Sequence, residues 1–302
     1  MTRQPKLMNF STMRDIFEPH LPDIRELIFI NRELAILYGD PRVFRLVLKH
    51  SPPFIIDDYR LGIIEQGEAC ININLIEKTL HAGTLVFLGP GTIISPIRFS
   101  EDLRIYGLGL SSEFPMPFAP NQTPQLFNGQ VRDFQIHVSE ADHATALLIV
   151  NTLWHTVHQP NYHRPTVSML VGAQMHHYDA LYRQHISRLE RIQTREQSIF
   201  DRFIQLVNAH CQQQHRLKYY AERMCLTERY LGTVIRQASG TTAKEWIDKA
   251  LTTHIKIQLS HTQKSAAQIS EEFNFPNPSF FTKYFKRMTG HTPHEFRNLG
   301  NR

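Results

Sequence analysis

Cysteine, tryptophan and glycine are scarce: three, two and 14 in 302 residues. Cys70, Cys211 and Cys225 are odd in number, far apart and in no metal-ligand spacing. That excludes a disulfide framework, and reduced thiols in a cytoplasmic protein are expected. Long apolar runs are lacking as well, so no bilayer-crossing helix is expected. The opening MTRQPKLMNFSTMRDIFEPH is broken by charge every few positions and has no apolar centre of the kind a signal peptide needs. Glycine-rich phosphate loops and nucleophile–base arrangements are missing, so nothing identifies an enzyme and no cofactor is expected.

What is present fits a folded chain of two domains. Hydrophobic residues make up 41% and charged residues 20%, which places it among globular rather than disordered proteins, and the length favours two domains over one. The net charge of +5 is unevenly spread. Residues 201–302 hold 15 Lys and Arg against 8 Asp and Glu, whereas residues 1–200 hold 18 against 20. A basic C-terminal third behind a near-neutral partner domain suits binding to a polyanion.

Short strands are predicted from about residue 40 to 135. Phe54-Ile55-Ile56, 59–64, 69–76 and 84–88 are rich in β-branched residues, and further runs follow at 92–97 and 103–110. Turn formers separate them, among them 65–68, His81-Ala82-Gly83 and Gly89-Pro90-Gly91. Closely spaced strands of this kind predict a small barrel or sandwich. No strand–helix alternation is present, which argues against a doubly wound nucleotide fold. From about 140 the period becomes helical: Leu147, Val150, Trp154 and Val157 are spaced by three and four. A second helix is predicted from near Pro165, and the polar stretch 187–197 marks the domain boundary. The division expected is 1–190 and 191–302, the second part all helical.

An internal repeat is the most informative feature of that second part. Leu226-Thr227-Glu228-Arg229-Tyr230-Leu231 runs through Val234-Ile235-Arg236 to Ser239-Gly240. Fifty residues on, Pro276-Asn277-Pro278-Ser279-Phe280-Phe281 runs through Tyr284-Phe285-Lys286 to Thr289-Gly290. Each copy predicts a helix-turn-helix, at about 217–238 and 266–288. Ala221 and Met224, then Ile269, Ser270 and Phe273, face inward from the short first helix. Thr227 and Asn277 suit the N-cap of the second helix, and Gly240 and Gly290 suit the left-handed position after it. Tyr230, Leu231, Val234 and Ile235 form one predicted buried stripe, and Phe280, Phe281, Tyr284 and Phe285 the other. The outward positions are polar and mostly basic: Arg229, Gly232, Thr233 and Arg236, then Ser279, Thr282, Lys283 and Lys286. A continuous helix is predicted over 246–259. As a rigid connector it would set two recognition helices about one DNA turn apart, roughly 34 Å.

Residues 198–297 resemble the DNA-binding domain of the AraC/XylS family of transcription regulators, most closely from Ala267 to Arg297. Two departures stand out. The turn glycine of that family is replaced by Cys225 in one copy and Asn274 in the other, and Thr233 stands where the first recognition helix often has Arg. The resemblance implies that the eight outward residues face double-stranded promoter DNA. Arg229 and Lys283 are expected at base edges, and Arg236 and Lys286 at phosphates. It also implies contact with RNA polymerase and an activator rather than a repressor.

The strand-rich part resembles, more loosely, the cupin-like sensing domain that precedes many such regulators. The fold class expected is therefore multidomain α+β: a cupin-like β-barrel with a helical dimerisation segment, then two helix-turn-helix motifs. The barrel is expected to hold a small-molecule effector whose contact residues are unknown. Histidines suited to a cupin metal are absent around 61–67 and after Gly91, so no metal is expected. His155 with His158, and His176 with His177, are more simply surface or interface side chains. Tyr59, Glu65 and Glu68 are weak candidates for pocket groups, the two glutamates being assigned to a solvent-exposed turn. The stripe Leu147, Val150, Trp154 and Val157 either contributes to a homodimer or packs on its own barrel. An architectural DNA-binding protein is a further alternative, although it leaves the first 190 residues without a role.

Overall fold

Period-two alternation with apolar residues on both sides makes the strand region a middle layer. In the computed structural model, which describes residues 10–40, 42, 43, 46, 53–118, 123–129, 131–161, 163–192 and 194–299, ten strands form two antiparallel sheets. The first nine residues, and 41, 44, 45 and 47–52 at the start of the expected strand region, lie outside the described residues. The chain divides near residue 190 into two compact units.

In the first unit, β1 (Ile28–Ile30), β2 (Leu34–Tyr38), β9 (Arg104–Leu110), β4 (Tyr59–Gln66), β7 (Thr84–Leu88) and β10 (Asp133–His137) form a six-stranded sheet in that order. A second sheet has the order β3 (Phe54–Ile55), β8 (Ile93–Phe99), β5 (Glu68–Ile73) and β6 (Ile76–His81). The hydrogen-bonded ladders thus form two sheets, and no closed barrel joins them among the described residues.

The six-stranded sheet buries both faces. Leu34, Ile36, Leu61, Ile63, Leu85, Phe87, Leu108 and Leu110 pack with Val150, Leu153 and Val157 of helix α3 (Glu140–Val157) and with Val171, Met175 and Tyr178 of helix α4 (Arg164–Ile192). The alternate residues Ala35, Ile64, Val86 and Leu88 meet Ala69, Ile73, Leu80 and Ile94 of the second sheet, and Ile56 just after β3. Helix α1 (Phe10–Phe17) joins this inner core with Met13, Ile16 and Phe17. The short helix α2 (Leu21–Ile24) adds Ile24. Complete burial of each such side chain stabilises the fold by about 1.5–3 kcal/mol.

Of the stripe considered for dimerisation, Val150 and Val157 are buried, and Leu147 and Trp154 pack against the same core. Trp154 also stacks on Tyr38 of β2, with ring centroids 4.6 Å apart. The stripe is engaged on the chain's own sheet.

The polar stretch 187–197 is not a loop over most of its length. Helix α4 continues to Ile192, and Thr194 caps the next helix, α5 (Arg195–His210), by accepting from the Gln197 amide at 3.2 Å. The fully buried stripe of α4 runs to Leu181, and Tyr182 and His185 still pack on Phe134 of β10, with ring centroids 5.1 and 5.5 Å apart.

The second unit is helical throughout. After α5 come α6 (Leu217–Arg223), α7 (Glu228–Ser239), α8 (Ala243–His261), α9 (Ala266–Glu272), α10 (Pro278–Thr289) and α11 (Pro293–Leu299). Helix α8 spans about 28 Å at 1.5 Å per residue and packs with both motifs. Leu251, Ile255 and Leu259 share one core with Phe273, Phe281 and Phe285. Asp248 accepts from the Tyr284 hydroxyl at 3.0 Å and pairs with Lys244 at 2.7 Å. Arg297 donates to the carbonyls of Leu259 (3.1 Å) and Lys264 (2.6 Å), placing a cation at the negative end of α8.

Candidate nucleic-acid interface

The two helix-turn-helix motifs repeat down to single hydrogen bonds. Thr227 accepts from the Tyr230 amide at 3.2 Å and Asn277 from the Phe280 amide at 2.8 Å, each closing the first turn of a twelve-residue helix. Gly240 and Gly290 end those helices with φ of 72° and 82°. Thr233 and Thr282, one position out of register between the copies, donate back to the carbonyls of Arg229 and Pro278, both at 2.9 Å. Ser239 and Thr289 do the same to Ile235 and Phe285. Thr242 and Thr292 then open the next helices, their amides donating to Glu245 and Glu295 at 2.8 and 2.7 Å. Those bonds hold both carboxyls below the usual carboxylate range.

The turns correspond as well. Cys225 and Asn274 take φ of 56° and 54°, the left-handed region glycine normally fills. Before the turns, Ala221, Met224, Ile269, Ser270 and Phe273 are all buried.

The stripes differ from expectation at one position in each copy. Leu231, Val234 and Ile235 are buried, and so are Phe281, Tyr284 and Phe285, but Tyr230 is 39% exposed and Phe280 54% exposed. Both are the third residue of their helix. Taking 100° per residue, this position falls at the edge of the arc that the other three define. The Phe280 ring lies beside Phe275, with centroids 6.4 Å apart.

The eight outward residues lie where the repeat placed them on α7 and α10. Arg229, Thr233, Arg236, Ser279, Lys283 and Lys286 are exposed, and Gly232 and Thr282 half-exposed. Among the described residues, no ion pair engages Arg229 or Lys283. Arg236 and Lys286 lie near the capping carboxylates Glu245 and Glu295 and contribute to lowering their pKa. The two N-termini are not equivalent. Helix α7 has Glu228 in its first turn, which opposes a phosphate, whereas α10 has Pro278 and no acid there.

The weaker candidates are engaged elsewhere. Tyr59 donates to the Phe127 carbonyl at 3.0 Å. Glu65 lies in β4 and accepts from Tyr106 at 3.1 Å, and Glu68 lies in β5 and pairs with Arg98 at 2.5 Å; neither is in a free turn. His158 bonds the Trp154 carbonyl, His177 that of Asp142, and the His176 ring packs on Phe118. Among the described residues there is no group of three His, Cys, Asp or Glu able to hold a metal ion, and no helix long and apolar enough to cross a membrane.

Residues 220–299 match the helix-turn-helix domain family. The HTH-type transcriptional activator RhaR of Escherichia coli strain K12 is 26% identical over 108 residues, covering 36% of this chain and 38% of RhaR. The chain therefore matches well under half the length of that curated relative. The C-terminal domain of AraT, a response regulator from Geobacillus stearothermophilus, is 23% identical, with 35% of this chain and 88% of that one covered and a TM-score of 0.33. ToxT from Vibrio cholerae O395 is 15% identical, with 81% and 90% covered and a TM-score of 0.35.

Proposed function

We propose that this chain is a sequence-specific DNA-binding transcription regulator of the AraC/XylS type. The observation that carries the reading is the duplicated helix-turn-helix built around one continuous helix, each copy presenting an exposed cation, Arg229 or Lys283, on the outward face of its second helix. The helix-turn-helix match over 220–299 and the basic C-terminal third support it.

In this reading α7 and α10 enter successive major grooves on one side of the duplex. Arg229 and Lys283 bond guanine edges. Gly232, Thr233, Ser279 and Thr282 line the groove contact, and Arg236 and Lys286 hold phosphates and set register. The sheet unit, residues 1–190, is the sensing part, cupin-like in strand content, and a small-molecule effector bound there alters how the chain engages promoter DNA and RNA polymerase. Activation rather than repression follows the resemblance to such regulators. A homodimer is part of the same reading, and it needs a surface other than the 147/150/154/157 stripe.

The test is a titration of the full chain against a promoter fragment and a shuffled control at two salt concentrations. Preferential binding of one fragment, abolished in Arg229→Ala or Lys283→Ala, supports base readout. Equal binding to both fragments, unchanged in the variants, removes it.

A further inference from the structure

We propose that the space between the two sheets is a binding site for a small, neutral, apolar molecule, and that Gly62 is glycine to keep that space open. The inference deepens the sensing role proposed above and rests on it only for the consequence of binding.

A cavity of about 160 Å³ lies inside the first unit. Its walls come from both sheets and from α1, with Leu37, Ala69, Ile71, Leu80, Val86 and Ile105 typical of them. Arg60 is the one charged side chain among the described lining residues. Its guanidinium is held by Asp58 through bonds of 2.8 and 3.1 Å, and Asp58 is itself buried. The wall therefore offers no free charge.

Gly62 and Gly107 are directly opposite on β4 and β9, and both line the cavity. Glycine inside a strand weakens it and marks places where something approaches closely. For Gly107 and Gly109 the chain supplies the reason: a Cβ would come within 3.3 Å of Leu37 and 3.2 Å of the Phe10 ring. Gly62 has no such reason. A Cβ there would meet Val86 at 3.5 Å and Ile105 at 3.6 Å, ordinary contacts, and its φ is not in the left-handed region. Its added methyl would occupy only the cavity.

Size and wall chemistry set the ligand class. Apolar cavities of about 150 Å³ stay dry and accept benzene-sized guests. A sugar would leave its hydroxyls without partners. An anion would find its only cation already paired. What fits is a single-ring or short-chain hydrocarbon-like molecule. The back of the site is also wired outward, because the Gly62 carbonyl accepts from Tyr178 on α4 at 2.8 Å.

The experiment uses the full chain, with toluene as neutral probe, hexanoate as anionic probe and glucose as polyol. Binding is read by saturation-transfer NMR and by the shift in melting temperature. Saturable toluene binding is expected, with hexanoate and glucose weaker. Gly62→Ala is expected to raise the melting temperature of the free protein while weakening toluene roughly tenfold. Opposite signs for stability and affinity are what a merely structural glycine would not give. Should Gly62→Ala fold poorly, Ala69→Val narrows the cavity from the other sheet and must weaken toluene likewise. No saturable toluene binding, tighter hexanoate or glucose, or toluene affinity unmoved in the folded variants each overturns the site. Promoter binding measured on the same preparation separates that failure from failure of the regulator reading.

Discussion

The buried hydroxyl of Tyr178 donates to the backbone oxygen of Gly62 across 2.8 Å, tying the middle of α4 to the middle of β4. Tyr178 is fully enclosed, so its hydroxyl has no water to fall back on. Tyr178→Phe is expected to cost the first unit about 0.5–1.5 kcal/mol, the usual net worth of such a bond. The two tryptophans, Trp154 and Trp246, lie in different units. A urea titration of Tyr178→Phe in a Trp246→Phe background should therefore show a lower midpoint for Trp154 fluorescence. An unchanged midpoint would mean the bond contributes nothing.

Burial raises the pKa of Tyr178, Tyr220 and Tyr284, and pushes that of Tyr106 up to about 12. The sign is fixed by linkage. Below the unfolded tyrosine pKa of about 10, both states keep the proton and the full stability is present. Above it the unfolded chain ionises first, so stability falls as pH rises. Melting temperature is expected to drop steadily from pH 9.5 to 11.5, less steeply in Tyr284→Phe for the second unit. A flat profile across that range would sink the assignment.

At acid pH the pattern reverses for the capping carboxylates. Glu245 and Glu295 are held low by the amides and hydroxyls of Thr242 and Thr292. Their stabilising effect is present above the unfolded glutamate pKa and lost as pH falls through the lowered folded value. Ser265 and Gln268 form the same box with an amide that does not titrate. The double variant Glu245→Gln, Glu295→Gln should therefore unfold less steeply with pH between 5 and 3 than wild type, as followed by circular dichroism.

Left-handed turn residues with a Cβ carry a conformational cost of about 1–2 kcal/mol, which Asn tolerates better than Cys. Cys225→Gly is expected to stabilise the second unit by about 0.5–1 kcal/mol, after allowing for the looser unfolded chain. Asn274→Gly should gain less, because Asn274 also donates to the Gln213 carbonyl at 3.3 Å. Thermal melts of the pair against Cys225→Ala, which should gain nothing, give the comparison.

Under the DNA-binding reading, Arg229→Ala and Lys283→Ala should each lose about 1–3 kcal/mol on the cognate site and relax base preference. Arg236→Ala and Lys286→Ala should weaken all fragments alike and reduce the salt slope by roughly one.

The second unit was legible in the sequence because its physics is local. Caps, stripe spacing and closing glycines sit within a few residues of one another, and the duplication supplied a control for each. What failed was the width of the stripe: Tyr230 and Phe280 are aromatic, yet their position in the first turn leaves them exposed. In the first unit, most strands were legible from β-branched runs and turn formers, but β1 (Ile28–Ile30) and β2 (Leu34–Tyr38) lie before the expected start near residue 40 and were missed. Pairing order was not, since β9 between β2 and β4, and β3 beside β8, are contacts between distant segments that no local pattern encodes. The cavity was hidden for the same reason. Gly62 and Gly107 are unremarkable until the register places them face to face.

The three thiols have become chemically unequal. Cys70 and Cys211 are buried, and burial pushes the Cys211 thiol up to about 12, whereas Cys225 stands exposed at the tip of the first turn. A thiol-reactive dye should therefore mark one atom of the native protein without any engineering. A fluorophore on that sulfur would sit beside the start of α7 and report, by quenching or energy transfer, the arrival of anything that approaches that corner.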